Sequence, residues 1–325
     1  MFCYYLIAVS NRENLEICKK ELIAGFPSSK NGFWTYLEIK EGDYISFLYG
    51  AKIYNLYRVS KKIVNGNIED SKEPWGTIVF QSGKEYTFPF RLLLEQIREF
   101  EESLVKPEFV YIAENLLLRG GYRKTHFQAD ETTLNVVSKL GKMVNNKRFN
   151  HKWLKQSITP KITFNKKNVN PPFVYLFEEL ILHVLVKQYM GGNLNGIFNE
   201  ILNSFNINEN YHDFEVLSEK ALPSGHVDLL IKKKHPVERD YKIVVEVKKN
   251  KAGKKEVEQL IKYMGELEDC VGGILIAKDF ARTCFKHVKD KKVLFIKYHL
   301  KNLDDSRDYT FLDLLNMLSL NIICH

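Results

Sequence analysis

Three residues whose types and spacing could do chemistry lie in the carboxy-terminal half: Asp228 in GHVDLL, and Glu246 and Lys248 in VVEVK. Side chains alternate along an extended strand, so Glu246 and Lys248 share a face, about 7 Å apart, with Val245 and Val247 on the other. The polar run KKKHPVERD lies between the two segments. It suits a turn that folds the strands antiparallel and sets Asp228 beside Glu246. Two neighbouring carboxylates repel, and one pKa rises unless a cation sits between them. The pair therefore makes physical sense as a site for a hard cation, Mg²⁺ with Mn²⁺ as a substitute, with the backbone oxygens of Val247 and Ile243 as further ligands. Phosphodiester hydrolysis requires such a cation, a nucleophilic water, and positive charge beside the phosphorus. Lys248 would orient or activate that water.

The elements that must position these residues read as mixed α/β from Pro172 onward. A helix is expected from Phe173 to Tyr189 and a second near Leu194 to Phe205. Strands follow at HVDLLI and YKIVVEVKK. In GKKEVEQLIKYMGELE, residues Val257, Leu260, Ile261, Met264 and Leu267 recur at helical spacing and form one apolar stripe. GGILIA and KKVLFIKY read as further strands and FLDLLNMLSL as a closing helix, giving a mixed sheet flanked by helices. An E-x-K pair alone is common on a solvated edge strand. The weight lies in apolar strands that still carry Asp, Glu and Lys inward, followed by the amphipathic helix bearing Gln259. His226 shares the Asp228 face by the same alternation and reads as a hydrogen-bonded structural histidine.

At 325 residues the chain calls for two domains. The first half reads as a β-rich barrel with a few helices: a strand at Tyr4 to Val9, a helix from Asn14 to Ile23, and a loop up to Trp34. Strands are expected at Tyr44 to Tyr49, Tyr54 to Val59 and Gly76 to Phe80, then a helical LLLEQIREFEESL and a short helix from about Ala129 to Val137. Residues 139–170 hold nine Lys or Arg and no Asp or Glu, which reads as a basic linker or a strap that tracks phosphates, with Lys147 and Arg148 as backbone contacts. The expected boundaries are thus 1–138, 139–170 and 171–325.

Trp34 and Trp75 sit in polar, turn-rich surroundings, KNGFWTY and KEPWGT. An indole face stacks on a base for about 1–3 kcal/mol, so the two read as walls of a base pocket. The net charge of +8 favours a polyanionic partner. The five cysteines are scattered without C-x-x-C spacing, so they read as reduced packing residues. The start MFCYYLIAVSN lacks a secretory n-region, and no run is long and apolar enough for a bilayer, which implies a cytoplasmic protein with no membrane partner.

GHVDLLI, a variable loop and IVVEVKKNKAGKKEVEQLIKYM resemble the core of PD-(D/E)xK endonucleases, specifically the archaeal-type branched-DNA and mismatch endonucleases and related restriction-like enzymes. Val227 stands where the name-giving Pro would be. The resemblance implies Asp228 and Glu246 as metal ligands, Lys248 as the water-positioning partner, Gln259 reaching back from its helix, and a first-helix Glu for which Glu178 and Glu179 are both candidates. The first half resembles the PUA-like group that includes EVE and YTH domains, over roughly Tyr4 to Asp130. That likeness implies an aromatic cage at Trp34 and Trp75, Ser10 and Asn11 as polar readers of the base edge, and Arg91 as a backbone contact. Together they imply a modification-dependent, type IV-like endonuclease that flips a modified base out of double-stranded DNA and cuts with Mg²⁺; the alternatives are a sequence-, mismatch- or structure-specific DNA or RNA nuclease without modification dependence, and a non-catalytic nucleic-acid-binding protein. Double-strand cleavage needs two active sites and so implies a homodimer.

Overall fold

The apolar run YYLIA forms a buried strand, β1 (Tyr4–Ala8), in the amino-terminal half. In the computed structural model β1 pairs in parallel with β3 (Tyr44–Tyr49) and antiparallel with β8 (His126–Ala129). The structure describes residues 2–324 apart from 51, 68, 70–71, 77, 80–82, 84, 103–124, 146–147, 150–156, 236, 238, 287 and 289–291. The chain divides into two compact units, Met1–Leu176 and Phe177–His325.

In the first unit, β2 (Ile23–Phe26), β4 (Lys52–Val64), β7 (Phe90–Glu99) and β9 (Lys142–Met143) complete a seven-stranded sheet. Its order is β2-β7-β4-β3-β1-β8, with β9 also on β7. No described pairing joins β2 to β8, so the expected barrel is not closed by these ladders. A small hairpin of β5 (Ile78–Val79) and β6 (Glu85–Tyr86) stands apart. Among the described residues the α-helices of this unit are α1 (Arg12–Glu21), α2 (Lys30–Glu38) and α3 (Glu131–Val137).

Three expectations are corrected in this unit. LLLEQIRE is strand β7, not a helix: its Leu, Glu, Gln and Arg favour helix intrinsically, but pairing on both sides with β2 and β4 overrides that preference. Trp34 lies in a helix rather than a loop. Ser29 caps α2 by accepting from the Gly32 N–H at 3.1 Å, and the helix buries Phe33, Trp34 and Leu37. The basic stretch expected as a linker is, over its described residues, part of the unit. β9 extends the sheet, Arg148 and Ser157 bridge to Glu95 and Asn65, and β10 (Lys161–Thr163) pairs in parallel with β11 (Val174–Leu176). Tyr175 on β11 stacks on Phe33 at 4.1 Å and 17°. The first unit ends at Leu176, and because Val174–Leu176 is a strand the helix expected from Phe173 begins only at Glu179.

Trp34 is 4% exposed and its ring meets that of His126 at 4.5 Å. His126 in turn joins Thr35 through Nδ1 and Glu38 through Nε2, each at 2.8 Å, in a buried polar cluster. Trp34→Ala is therefore expected to cost about 3–5 kcal/mol of stability, the usual range for emptying a buried indole site. Urea unfolding measures this, and a loss below about 1 kcal/mol would contradict the packing role.

The second unit is built on one six-stranded sheet, β12 (Phe214–Leu222), β13 (Gly225–Lys233), β14 (Lys242–Ala252), β15 (Cys270–Phe280), β16 (Val293–Leu300) and β18 (Leu318–Cys324), in that order. β14, β15 and β16 run parallel and the outer pairs antiparallel. α4 (Glu179–Gly191) packs on β12 to β14, and α6 (Lys254–Glu266) packs on β14 and β15. The remaining elements are α5 (Ile197–Ser204), α7 (Arg282–Lys286), the short β17 (Asp308–Tyr309) and α8 (Phe311–Met317). The stripe predicted on α6 holds: Val257, Leu260 and Tyr263 are buried in the core with Leu275 and Phe295, while Ile261 and Met264 pack at its margin. β12 and β18 were not expected. The closing helix stops at Met317, where the chain turns into β18. No helix among the described residues is long and apolar enough to cross a membrane. Cys3, Cys18, Cys270 and Cys284 are free thiols.

Candidate active site

β13 and β14 form an antiparallel ladder whose last backbone pair at this end is Leu229 with Val245. One step further the register sets Asp228 against Glu246, and no backbone pair forms there. Instead the Val247 N–H donates to Asp228 Oδ2 at 2.8 Å. The two carboxylates expected to be neighbours thus stand where the ladder ends.

Lys248 is the hub of the cluster. Its Nζ lies 2.8 Å from Glu246 Oε1, 3.2 Å from Glu179 Oε1 and 3.5 Å from Asp228 Oδ2. Of the two first-helix candidates, Glu179 reaches the cluster. Glu178 is the N-cap residue of α4, while Glu179 Oε2 also accepts the Lys249 N–H at 3.1 Å. Lys249 Nζ donates to the Phe177 carbonyl, which ties β14 to the start of α4. Gln259 on α6 reaches back as expected and donates to Glu246 Oε1 at 3.1 Å. Its Nε2 also lies 3.0 Å from the Tyr263 hydroxyl, one turn on.

The carboxylate oxygens are used unequally. Asp228 Oδ2 carries the Val247 N–H and faces Lys248, while Oδ1 has no hydrogen-bond partner among the described residues. Glu246 Oε1 takes both Lys248 and Gln259, and Oε2 is buried with no partner among them. Both oxygens of Glu179 are engaged. Each of the two inner acids is therefore held by one oxygen and keeps the other free, whereas Glu179 serves to hold Lys248 and the β14 backbone. Among the described residues, no three His, Cys, Asp or Glu side chains converge as a ready metal cluster. The donor set that fits a cation is two carboxylate oxygens and a backbone carbonyl such as that of Val247, all hard oxygen ligands.

Burial pushes the Glu246 carboxyl up to about 8; the Asp228 charge adds to the rise and Lys248 opposes it. Burial alone would lower the Lys248 ammonium, yet Asp228, Glu246 and Glu179 hold it above the ordinary lysine range. Without a cation, then, Glu246 keeps its proton in the fold to about pH 8 but ionises near 4.5 when unfolded. A folded-state pKa above the unfolded one gives stability that is complete below about pH 4.5 and lost as pH rises through about 8. Thermal melts in EDTA are expected to show Tm falling over that window in the wild type and less steeply in Glu246→Gln. An equal slope in the two proteins would contradict the assignment.

Two residues not anticipated from sequence belong to the cluster. His183, one turn after Glu179 on α4, is 6% exposed with Nε2 3.6 Å from Asp228 Oδ2. Tyr263 braces Gln259, and a Cβ at Gly225 would come within 2.3 Å of its hydroxyl, which explains the glycine opening β13. The i, i+4 spacing from Glu179 and from Gln259 is the signal that would have found both.

The residues expected in the amino-terminal unit are placed differently. Arg91 is fully buried, donates from Nε to the Phe88 carbonyl at 2.9 Å, and lies 5.5 Å from the Trp75 ring, so it cannot meet a phosphate there. Trp34 offers no open face. Trp75 is half-buried, with Phe88 at 5.0 Å and its ring edge against Gly25. Ser10 and Asn11 are exposed and cap α1: Asn11 accepts the Asn14 N–H at 2.7 Å, and the Asn14 amide donates to Ser10 at 3.1 Å. Arg148 pairs with Glu95 at 2.9 Å, and Lys147 lies outside the described residues.

Residues 201–312, about a third of the chain, match the Endonuclease NucS C-terminal domain family. The matched stretch contains Asp228, Glu246, Lys248 and Gln259 and begins after Glu179 and His183. Among solved structures, a repair endonuclease from Pyrococcus abyssi is 25% identical, with 30% of this chain and 43% of that one covered and a TM-score of 0.23. An EndoMS–dsDNA complex is 26% identical, over 26% of this chain and 36% of that one, also with a TM-score of 0.23. The chain spans less than half the length of either protein, and such TM-scores do not define a shared architecture. No curated protein matches the chain.

Proposed function

We propose that the chain is a divalent-cation-dependent DNA endonuclease whose active centre is the Asp228, Glu246, Lys248 cluster. The observation that carries this reading is the split use of two carboxylates around Lys248, the buried Glu246 and the half-buried Asp228, each with one oxygen held and one left for a cation. Asp228, Glu246 and the Val247 carbonyl would hold Mg²⁺ or Mn²⁺. When bound, the cation supplies Lewis acidity at the scissile phosphate and a more acidic water. Lys248 places a fixed positive charge where negative charge develops on the phosphorus. Gln259 and Glu179 keep Glu246 and Lys248 in register. The match of residues 201–312 to the NucS endonuclease carboxy-terminal domain supports phosphodiester hydrolysis, and the net charge of +8 suits duplex DNA as the substrate.

The finer reading is that the amino-terminal unit is a PUA-like reader that selects DNA carrying a modified base, and that two copies act together as a homodimer on the two strands. With Trp34 sealed in the core, Trp75 is the one of the two indoles left to meet a base. Cleavage of matched duplexes with plain and modified bases, and of RNA, tests the proposal. Divalent-dependent cutting of modified duplex is expected, with the preference lost in Trp75→Ala. Equal cutting of plain and modified DNA would remove the reader and leave the nuclease.

A further inference from the structure

We infer that His183 is a positioning residue of the cation site, holding Asp228 so that its Oδ1 is presented to the cation; the inference rests on the reading of Asp228 as a ligand. His183 is 6% exposed, and neither ring nitrogen has a hydrogen-bond partner among the described residues. A buried imidazole with both nitrogens unpaired is costly in an ordinary core, where polar groups are nearly always satisfied. The carboxylate it faces is Asp228, whose Oδ2 lies 3.6 Å from Nε2. That separation is longer than a hydrogen bond, and catalytic contacts of this kind commonly tighten once the site is loaded.

The direction of the contact gives it meaning. Val247 N–H, Lys248 Nζ and His183 Nε2 all approach the same Asp228 oxygen, Oδ2. One hydrogen bond from β14 and two longer contacts, from β14 and α4, thereby converge on Oδ2 and leave Oδ1 without a partner among the described residues. For Nε2 to act as donor, the imidazole must carry a proton on that nitrogen. His183 and Glu179 lie one turn apart on α4. The same helix face thus orients Asp228 through one residue and Lys248 through the other. Both residues precede the stretch that matches the NucS domain.

The test uses the full chain and Mn²⁺ alone, with binding read by calorimetry. A side-chain amide in Gln places its nitrogen near the position of Nε2, whereas that of Asn falls near Nδ1. His183→Leu and His183→Asn are expected to weaken Mn²⁺ binding about 10- to 100-fold, the range for removing a group that orients a ligand. His183→Gln is expected to stay within a few-fold of wild type. In cleavage assays the Asn variant should recover its rate at high metal concentration with KM for DNA unmoved. Wild-type Mn²⁺ affinity in the Leu and Asn variants would overturn the inference and leave the nuclease reading intact, as would Gln behaving like Asn while all variants melt normally. Failure of the wild-type chain itself to bind Mn²⁺ would overturn both.

Discussion

Lys248→Ala is expected to lower Mg²⁺-dependent cleavage about 100- to 1,000-fold, the usual result of removing one preorganised donor from a charge-stabilising site. The reason lies in how many groups depend on the ammonium. Glu246, Glu179 and Asp228 all lie within 3.5 Å of Nζ. Without it, three carboxylates face one another with no fixed counter-charge. Lys248 is also the group that opposes the rise of the Glu246 carboxyl, so its removal pushes Glu246 further toward the protonated form and weakens it as a ligand. The loss should therefore be partly offset at higher pH. Lys248→Arg should recover little, because a planar guanidinium cannot reproduce a point charge shared by three acids. A pH-rate profile with saturating Mg²⁺ checks this, and a Lys248→Ala rate within a few-fold of wild type would remove Lys248 from the chemistry.

Asp228→Asn is expected to reduce cleavage by more than about 100-fold, beyond the range for outer-shell changes, because it removes a charged ligand. The substitution nearly preserves volume, and the side-chain oxygen of Asn can still accept the Val247 N–H. The fold should survive. In EDTA near pH 8 the variant should melt higher than the wild type, since it relieves the repulsion between Asp228 and Glu246 that raises the Glu246 pKa. Loss of activity with gain of stability is the pattern of a site that stores electrostatic strain for function. Differential scanning fluorimetry with and without Mn²⁺ measures both: the metal should raise Tm in the wild type and have little effect on the variant. A variant destabilised in EDTA and still stabilised by Mn²⁺ would point to a structural aspartate instead.

The strands of the candidate site were legible in the sequence because each signal was local. Two-residue alternation set Glu246 and Lys248 together, the polar run between β13 and β14 implied a hairpin, and the α6 stripe oriented Gln259. What escaped depended on long-range pairing. β7 looks helical by composition and becomes a strand only because β2 and β4 flank it. β18 looks like more of the closing helix, but pairs antiparallel with β16. The basic run 139–170 reads as solvated by charge alone, although Ile162 and Thr163 within it are buried. Trp34 misled for a related reason. Its polar neighbours suggest a loop, while Ser29 caps a helix that turns the indole inward. Arg91 was unreadable as a buried residue, since nothing local indicates that its guanidinium will lie beside Trp75. His183 carried a usable signal, four residues beyond Glu179, but its partner Asp228 is contributed by a strand 45 residues further along.

The central claim is most directly tested by incubating supercoiled plasmid, bearing modified bases and in a plain version, with the full chain in Mg²⁺, in EDTA, and with the Asp228→Asn variant in Mg²⁺. Nicked or linear product is expected only from the wild type in Mg²⁺. Product of equal yield from Asp228→Asn, or from the wild type in EDTA, would contradict the assignment of a cation-dependent centre at Asp228, Glu246 and Lys248.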